Sequence, residues 1–439
     1  MNVNKFINSK NISSRYLIHQ ILDGVFINRR TKPQTLNYLE KNQVFFEEKD
    51  IAQAERITSF IFGHLESIDR KILKFLKKKT NTSVLNIFRI VVSEIALNEA
   101  PNYALVNSAV DLARISIKTK YFLGLINSVS RKLVAMYQEK ELEFNSNLES
   151  TLKSYLTKNY SKDIADNIER IYTLNNTIDI SIKNLEEIEF WKKKLEAKIL
   201  PTGSLRIKKD VKLTNLNGFN EGKWWVQDIS SSIPIKLLGD LKEKEVLDLF
   251  SAPGGKAMQL ISLGANVTCL DKSSIRIKML KENLSRMKMK SEIIKTDFYS
   301  FKTKKKFDVV VIDAPCSSTG TIRKNKEIQY LFPEKRLNNL IQIQKDSLNV
   351  AKKFVKDNGV ILYCNCSLFF SEGEKQIIEF VEKNRDWRFE KISNKNKNLE
   401  KDWLDKFGFL RLRPDHLSDL GGMDGFFAAI LKKKCSTFK

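Results

Sequence analysis

The stretch from Val246 to Lys256 constrains the fold of this chain more than any other. It reads V-L-D-L-F-S-A-P-G-G-K, an apolar run followed by a Pro-Gly-Gly turn and then a helix-forming sequence. This order predicts a strand, a loop and a helix whose N-terminus and backbone N–H groups face a ligand. Neither the dinucleotide fingerprint G-x-G-x-x-G nor a phosphate loop is present. We therefore expect a nucleotide-type ligand, to be identified by residues further along the chain.

Strand-like and helix-like sequences alternate from residue 244 onward, which is typical of a doubly wound α/β domain. Apolar residues at helical spacing, such as Ile277, Leu280 and Leu284, separate the strands. The predicted strands are Glu245–Phe250, Val267–Leu270, Glu292–Lys295, Asp308–Ile312 and Val360–Tyr363. Two later segments, Phe407–Leu412 and Phe426–Leu431, predict a closing antiparallel pair.

The first 140 residues carry helical patterns throughout, without strand-type alternation. Leu17, Ile21 and Val25 repeat at helical spacing behind Ser13 and Ser14, which we expect to cap that helix. Similar stripes occupy Ile51–Leu65, Val84–Leu97, Val106–Ile115 and Phe122–Val134. Residues 1–140 are therefore predicted to form an all-α bundle.

Residues 141–235 are predicted to form a linker and a small basic α/β segment. Thr177–Ile182 and Ser204–Lys209 alternate like strands, and Leu185–Leu200 is patterned like a helix. The segment also contains the pair Trp224-Trp225. Two adjacent indoles could stack on nucleic-acid bases, but such rings more often pack a domain seam, which is the interpretation we favour.

The charge of the chain favours a polyanionic partner. Lys and Arg number 76 against 52 Asp and Glu, a formal net charge of +24, which most simply indicates nucleic acid. Residues 271–308 alone hold 12 Lys and Arg against 5 Asp and Glu. A composition rich in Lys, Asn and Ile is the alternative source of this excess, because passive lysines of a solvated helix face also raise the charge.

Other global features indicate a soluble cytoplasmic protein without a metal site. The sequence has no apolar run of membrane-spanning length and no signal-peptide core. Five cysteines stand at positions 269, 316, 364, 366 and 435, with no C-x-x-C pair and no nearby His cluster. We therefore expect neither a disulfide framework nor a zinc site, and each cysteine is a candidate nucleophile.

Polar residues follow the predicted strands, at the edge where open α/β sheets bind ligands. Asp271 follows the second strand, where its carboxylate could accept both hydroxyls of a ribose. Asp297 follows the third strand, where it could meet the edge of an adenine. The fourth strand ends in Asp313-Ala-Pro-Cys316, and the fifth in Cys364-Asn-Cys366-Ser367. Because Cys364 and Cys366 are two residues apart on an extended strand, we expect both side chains on one face.

Together these motifs resemble the RNA 5-methylcytosine methyltransferases, specifically the Fmu/Sun (RsmB-like) branch. The stretches that carry the resemblance are Leu247–Lys256, Asp313–Gly320, Tyr363–Ser367, Glu372–Glu374 and Gly422–Phe427. The front of the chain resembles the NusB family of RNA-binding helical domains, an extension found in this branch. That second resemblance rests on Phe88–Ile90, Pro101–Val110 and Phe122–Val129.

The resemblance implies a multidomain architecture. Residues 1–140 would form an all-α NusB-like RNA-binding bundle, and residues 141–235 a linker with a small basic α/β RNA-binding segment. Residues 236–435 would form an α/β Rossmann-like class I methyltransferase domain that uses S-adenosylmethionine.

The resemblance also assigns chemical roles. A thiolate that adds to C6 of cytosine turns C5 into a nucleophile, and the thiolate is the reactive form of cysteine. The RNA family uses the cysteine after the fifth strand, here Cys366, with Cys316 assisting release and Asp313 holding the cytosine edge. Enzymes that act on DNA use the Pro-Cys thiol instead, which here is Cys316. The implied cofactor-binding residues are Phe250, Ser251, Ala252, Pro253, Gly254, Gly255, Lys256, Asp271, Asp297 and Asp313.

Two positions depart from the family pattern. Asn365 stands where the family usually has Thr, and Phe250 where it usually has Cys. Among the basic residues, Lys256 and Arg323 are candidate phosphate or cofactor contacts. For Arg323, an exposed basic side chain is the more common interpretation.

The leading hypothesis is a monomeric, cytoplasmic methyltransferase that acts on 16S ribosomal RNA and has no membrane partner. Two alternatives remain open from sequence alone. The same chemistry could act on transfer RNA, or the chain could be a noncatalytic RNA-binding assembly factor built on the NusB-like domain. The second alternative predicts decayed cofactor motifs, whereas both glycines, the strand-end aspartates and both cysteines are present.

Overall fold

The computed structural model describes residues 3–99, 101–137, 143–174, 177–207, 212–332, 334–392 and 399–434. The chain divides into two compact units, Met1–Thr173 with Asn325–Phe332, and Leu174–Lys324 with Pro333–Lys439. The boundary expected after residue 140 lies outside the described residues, as does Cys435. The structure places its own division at residues 173 and 174 because the helices that follow residue 149 pack with the first unit.

Helices build the first unit. They are α1 (Val3–Ser9), α2 (Ser13–Phe26), α3 (Lys32–Lys41), α4 (Glu48–Gly63), α5 (Leu65–Leu73), α6 (Thr82–Ala96), α7 (Asn102–Ile115), α8 (Leu123–Tyr137), α9 (Ser150–Asn159) and α10 (Lys162–Thr173). Helix α2 packs against α4 and α6. Leu17, Ile21 and Leu22 on its inner face are buried, so the helical spacing of the sequence predicts this face correctly.

The predicted cap of α2 is wrong. The N-cap position is Ile12, which makes no side-chain cap hydrogen bond, and Ser13 is already the first helical residue. The Ser13 hydroxyl instead donates to Asp50 Oδ2 at 2.9 Å, and Ser14 is buried. The Ser13 hydroxyl that we expected to cap the backbone therefore hydrogen-bonds to a carboxylate of α4 instead.

A short segment far along the chain completes the first unit. In Asn325–Phe332, the Tyr330 hydroxyl donates to the Phe62 carbonyl at 2.9 Å, and Gln329 Nε2 donates to the Tyr172 hydroxyl at 2.5 Å. Leu331 in the same segment is fully buried. The chain therefore leaves the second unit for these eight residues and then returns to it.

The second unit begins with a small antiparallel sheet. Its elements are β1 (Ile178–Ile182), α11 (Ile188–Lys194), β2 (Lys198–Ile199), β3 (Leu205–Ile207), β4 (Trp224–Val226) and α12 (Ile229–Lys236). The strand order is β2-β3-β1-β4. Both predicted strands are present, although residues 208 and 209 of the second prediction lie outside the described part.

The predicted helix over Leu185–Leu200 is only partly correct. A 3₁₀ turn covers Leu185–Glu187, α11 ends at Lys194, and β2 begins at Lys198. Glu196 has φ +49°, a left-handed conformation that closes a helix C-terminus. Apolar spacing continues past that residue, so the pattern alone overestimates the helix.

A large mixed sheet forms the rest of the second unit. Its elements are β5 (Glu245–Asp248), α13 (Gly255–Ser262), β6 (Asn266–Asp271), α14 (Ser274–Arg286), β7 (Glu292–Lys295), β8 (Phe307–Asp313), α15 (Glu334–Ala351), β9 (Val355–Asn365), α16 (Glu374–Lys383), β10 (Trp387–Glu390), β11 (Leu410–Leu412) and β12 (Phe426–Lys433). The strand order is β10-β12-β9-β8-β5-β6-β7, with β11 also paired to β12. Strands β5 to β9 run parallel, and the predicted antiparallel pair of β11 and β12 is confirmed.

The order of these strands fixes the ligand edge. Strand β5 lies between β6 and β8, so successive crossovers leave it in opposite directions, which opens a crevice at its carboxyl end. Alternate residues of β5 face two separate cores, with Val246 on the side of α13 and Leu247 on the side of α15. Both faces of the sheet are therefore covered, and the strand ends stay available for a site. No helix among the described residues is long and apolar enough to cross a membrane.

Candidate active site

The loop after β5 has the shape that its sequence predicts. Gly254 has φ +110°, and a Cβ there would lie 2.6 Å from Leu280 Cδ1, so only glycine fits. A Cβ added to Gly255, the first residue of α13, would meet no atom within 4 Å. The loop therefore packs tightly on α14 on one side and leaves open space at the helix N-terminus on the other.

Asp271, the last residue of β6, offers an unsatisfied acceptor near this loop. Its Oδ1 accepts a hydrogen bond from Ser273 N at 2.9 Å. Its buried Oδ2 lies 3.5 Å from Arg276 Nη1 and makes no hydrogen bond with the described residues. A buried carboxylate oxygen of this kind suits a ligand hydroxyl.

The other residues expected at the cofactor site lie around the same crevice. Asp297 follows β7, where its Oδ1 accepts from Tyr299 N and its Oδ2 pairs with Lys272 Nζ at 3.2 Å. Phe250 packs edge-on against Phe298, with the ring centroids 5.2 Å apart. Ser251 and Ala252 are buried, and Pro253 is exposed.

Lys256 of α13 and Asp313 at the end of β8 form an ion pair. Lys256 Nζ donates to Asp313 Oδ2 at 2.8 Å and to Ser231 Oγ at 2.9 Å, although the lysine is only 7% exposed. Burial is the largest single influence and lowers the pKa of Lys256, but Asp313, Cys364 and Asp248 together outweigh burial and raise that pKa overall. The lysine is therefore cationic at neutral pH and holds Asp313 in place, which favours a role inside the site over a surface phosphate contact.

The two cysteines expected to act together meet in space. Cys316 Sγ lies 3.5 Å from Cys366 Sγ, although 50 residues separate them in the chain. The Cys366 sulfur and burial raise the pKa of Cys316 well above its usual value. The backbone joins the two loops as well, because Gly320 N donates to the Cys366 carbonyl at 2.8 Å.

Neighbours of Cys366 lie where strand alternation places them. Cys364 and Cys366 pack against the same core, as expected, but Cys364 is fully buried, and burial raises its pKa well above the usual value. Asn365 is also buried, and its Nδ2 donates to the Glu372 carbonyl at 2.7 Å. Its Oδ1 accepts from Ser367 N at 3.0 Å, so Asn365 supports the turn that carries Cys366.

The expectation that Arg323 is exposed is wrong. Its guanidinium is fully buried and donates to Asp228 Oδ2 at 3.1 Å and to Asp424 Oδ1 at 3.4 Å. Lys324 Nζ contacts the same two carboxylates. Burial opposes ionisation of Asp228, but Lys324 and Arg323 outweigh it and hold the pKa of Asp228 well below its usual range. Arg323 therefore joins the cysteine loop to distant segments and is not a surface contact.

Sequence reasoning also missed Asp248, the last residue of β5. It is 1% exposed, and burial raises its pKa to about 7. A single carboxylate at the end of an otherwise apolar strand was the available signal.

Comparison with known proteins agrees with this geometry. Residues 235–432 match the family model described as 16S rRNA methyltransferase RsmB/F, and residues 12–135 match the NusB family. Residues 235–432 therefore form an RsmB/F-type methyltransferase domain. The chain carries a NusB domain in front of this domain and is an S-adenosylmethionine-dependent methyltransferase.

Curated relatives match this chain along most of its length. Ribosomal RNA small subunit methyltransferase B of Photorhabdus laumondii is 26% identical over 442 residues, which cover 95% of this chain and 97% of the relative. The protein of the same name from Cronobacter sakazakii is 27% identical over 403 residues, covering 86% and 92%.

Solved structures show the same fold. The crystal structure of PH0851 aligns with a TM-score of 0.73 at 23% identity, covering 95% of this chain and 98% of that chain. The crystal structure of NSun6 from Pyrococcus horikoshii with SFG aligns with a TM-score of 0.54 at 17% identity, covering 66% and 99%.

The described residues fit the cofactor of this family. Gly255 leaves room at the N-terminus of α13, and the unsatisfied Asp271 Oδ2 suits a ribose hydroxyl. Among the described residues, no cluster of His, Cys, Asp and Glu could hold a metal ion.

Proposed function

We propose that this protein methylates C5 of a cytosine in 16S ribosomal RNA through a covalent bond between Cys366 and C6 of the base. The observation that carries the proposal is the 3.5 Å separation of the Cys316 and Cys366 sulfurs. They lie after the carboxyl ends of β8 and β9, where α/β sheets bind their ligands. Two thiols at that edge suit a reaction in which one cysteine attacks the base and the other assists the release of the product.

The chemistry follows from the weakness of C5 as a nucleophile. The Cys366 thiolate adds its electron pair to C6, and the ring becomes an enamine whose C5 is electron-rich. When bound, S-adenosylmethionine supplies the methyl group. A base then removes the C5 proton, the C5–C6 double bond re-forms, and the sulfur leaves with the electrons of the C6–S bond.

The electrostatics support Cys366 as the nucleophile and Cys316 as its assistant. The raised pKa of Cys316 keeps that residue a thiol at neutral pH. Its proton is therefore available to the neighbouring sulfur, which would stabilise a thiolate on Cys366. After methyl transfer, the same residue is close enough to take part in proton exchange during release.

Asp313 and Lys256 are proposed to hold the base. The Asp313 carboxylate can accept from the exocyclic amino group of cytosine, while Lys256 fixes its orientation from a distance of 2.8 Å. A base must leave its stack to reach this crevice, so the substrate has to be single-stranded or flipped there. The remaining residues proposed for the cofactor are Phe250 to Gly255, Asp271 and Asp297.

The choice of RNA rests on the relatives and on charge. Both relatives described above are named as methyltransferases of small-subunit ribosomal RNA. The net charge of +24 suits a long polyanion, and residues 1–140 and 141–235 are proposed to contribute RNA contacts. We propose that the protein acts as a monomer in the cytoplasm.

Methylation in vitro tests the reaction. Unmodified small-subunit ribosomal RNA and unmodified transfer RNA are each incubated with the protein and cofactor labelled in its methyl group. We expect 5-methylcytosine in the ribosomal RNA and a rate at least about 10³-fold lower for Cys366→Ala, because covalent activation is lost. Label in transfer RNA alone would contradict the substrate, and full activity of Cys366→Ala would contradict the mechanism.

The release step has its own test. We expect Cys316→Ala to accumulate a denaturant-resistant RNA–protein adduct, because attack proceeds while release is slow. Cys269→Ala is the matched control, since Cys269 is a buried cysteine of β6 whose Sγ contacts Ser291. If Cys316→Ala formed no adduct and Cys366→Ala did, the roles of the two cysteines would be reversed.

A further inference from the structure

Glu372 lies between the two cysteine loops and contacts both of them. Its carboxylate is fully buried. Oε1 accepts hydrogen bonds from Ser317 N and from Gln344 Nε2, each at 2.9 Å, and Oε2 accepts from Ser367 Oγ at 2.6 Å. Ser317 directly follows Cys316, and Ser367 directly follows Cys366. One side chain therefore holds the neighbour of each catalytic sulfur.

Hydroxyl groups extend this connection. Ser317 Oγ lies 3.0 Å from Ser367 Oγ, and Thr319 Oγ1 lies 3.1 Å from Ser317 Oγ and 3.3 Å from Ser367 Oγ. Thr319 Oγ1 also accepts from Leu368 N at 2.9 Å. These groups are buried, so each hydrogen bond that Glu372 anchors is sheltered from water.

The position of Glu372 is itself fixed by β9. The Tyr363 hydroxyl donates to the Glu372 carbonyl at 2.7 Å, and Asn365 Nδ2 donates to the same oxygen. Both donors belong to the strand that leads into Cys366. The carboxylate is therefore tied to the end of the strand that positions the nucleophile.

Among the described residues, the side-chain and backbone donors to the buried Glu372 carboxylate are neutral, so its burial needs an explanation other than ion pairing. Glu374, two residues away, makes a bidentate ion pair with Arg411 at 2.6 and 2.9 Å. No ion pair to Glu372 occurs within the described ranges, which include 334–392. A buried carboxylate without an ion pair is costly even when it is hydrogen-bonded, so its place beside the cysteines points to a use of this group there.

We propose that Glu372 is the positioning residue of the cysteine pair, which sets the separation of the two sulfurs and places its carboxylate beside Cys316. The proposal rests on the proposed function, because it gives Cys316 and Cys366 different roles. Among the described residues, Cys366 and Tyr363 are further titratable groups that interact electrostatically with Cys316. The Cys366 sulfur, burial and the Glu372 carboxylate all raise the pKa of Cys316, in that order.

Two conservative substitutions separate distance from charge. Glu372→Asp keeps the charge but withdraws it by one methylene, so it cannot reach Ser317 N and Ser367 Oγ together. Glu372→Gln keeps the reach but removes the charge. The control is Glu374→Gln, which breaks the buried ion pair of the same segment and is expected to lower the melting temperature at least as much.

Dithiol trapping of the full-length protein measures distance. Phenylarsine oxide forms two As–S bonds with a preorganised thiol pair, and its oxygen leaves with both thiol protons as water. We expect one equivalent to bind to the wild type and none to Cys316→Ala. Glu372→Asp is expected to react at least about tenfold more slowly than Glu374→Gln. Equal rates for these two variants would overturn the positioning role.

The pH dependence of alkylation measures charge. In a Cys366→Ala background, iodoacetamide reacts with Cys316, and the rate is followed against pH. We expect Glu372→Gln to lower the midpoint by about one pH unit, since a like charge near a thiol disfavours the thiolate. An unmoved midpoint would overturn the proposal. Both reagents act without RNA or cofactor, so these outcomes stay separate from a failure of the proposed methylation.

Discussion

Asp248 is a residue at which the fold opposes ionisation. It is the last residue of β5, and burial raises its pKa to about 7 from a usual value of 3.8. In the unfolded chain the carboxyl loses its proton near pH 4. Between pH 4 and pH 7, Asp248 therefore binds more protons in the folded state than in the unfolded state. Its contribution to the free energy of unfolding falls as pH rises through this range.

Asp248→Asn tests this linkage. We expect the wild type, relative to the variant, to lose up to roughly 4 kcal/mol of unfolding free energy from pH 4 to pH 7, the equivalent of about three pKa units. Above pH 7 the difference should stay constant. The measurement is urea unfolding of both proteins across this range without cofactor. Parallel stability curves for the two proteins would show that Asp248 ionises normally.

The positions of single residues could be predicted from the sequence where they depend only on the neighbouring residues of a strand. Asp271, Asp313, Cys316 and Cys366 lie at the strand ends that their positions indicated. Arg323 was not predictable, because its burial depends on Asp228 and Asp424, which are 95 and 101 residues away. Burial of an arginine is tolerated when carboxylates pair with it. Here those carboxylates are distant in the sequence, so the residues next to Arg323 do not predict its burial.

At the scale of elements, β4 shows how one strand serves two cores. Trp224 lies in the core of the small sheet, and Trp225 lies in the core beside α12 and α13. Adjacent strand residues face opposite sides, so the pair joins the small sheet to the large one. Both indole N–H groups have acceptors, Asn217 O for Trp224 and Gln227 Oε1 for Trp225, each at 2.9 Å. Burial confirms the packing interpretation and contradicts base stacking.

We predict that Trp224→Ala and Trp225→Ala each lower the unfolding free energy by about 3–5 kcal/mol, because each empties a large core volume. Chemical denaturation measures the loss. RNA affinity of the folded variants should stay within about twofold, since neither ring reaches solvent. A variant with unchanged stability but much weaker RNA binding would restore the stacking interpretation.

Gly320 and Gly425 show a constraint that only packing imposes. Gly425 N donates to the Gly320 carbonyl at 2.8 Å, and a Cβ on Gly320 would lie 2.0 Å from the Gly425 carbonyl oxygen. These residues belong to stretches that carry the family resemblance, yet their contact is not visible in the sequence. The contact brings the loop after Cys316 against the segment that leads into β12.

At the scale of the whole molecule, the dominant physical property is charge. A net charge of +24 on 439 residues favours binding to RNA by release of its counterions. The relevant observable is the dependence of affinity on salt, not affinity at one salt concentration. This property belongs to the whole chain, because basic residues occur in both units.

We predict a steep salt dependence for RNA binding. If about six phosphates are contacted, affinity for single-stranded RNA should fall roughly 10²–10³-fold between 50 and 200 mM salt. Fluorescence anisotropy with the full-length protein measures it, and cofactor binding over the same range is the control. If the affinities for RNA and for the cofactor depended equally on salt, phosphate contacts would contribute little to RNA binding.

The sequence by itself determined the helical first unit, the α/β second unit and the motifs at its ligand edge. These follow from periodicity and strand order, which are properties of neighbouring residues. The resemblance to one methyltransferase branch was likewise readable from contiguous motifs, and the family match confirms it.

Only the tertiary structure decided which distant groups meet. It brought the Cys316 and Cys366 sulfurs within 3.5 Å, placed Glu372 between their loops, and buried Arg323 against two carboxylates. It also moved Asn325–Phe332 into the first unit. The reason is that burial and charge pairing are decided by contacts across the chain, whereas a motif records only the residues beside it.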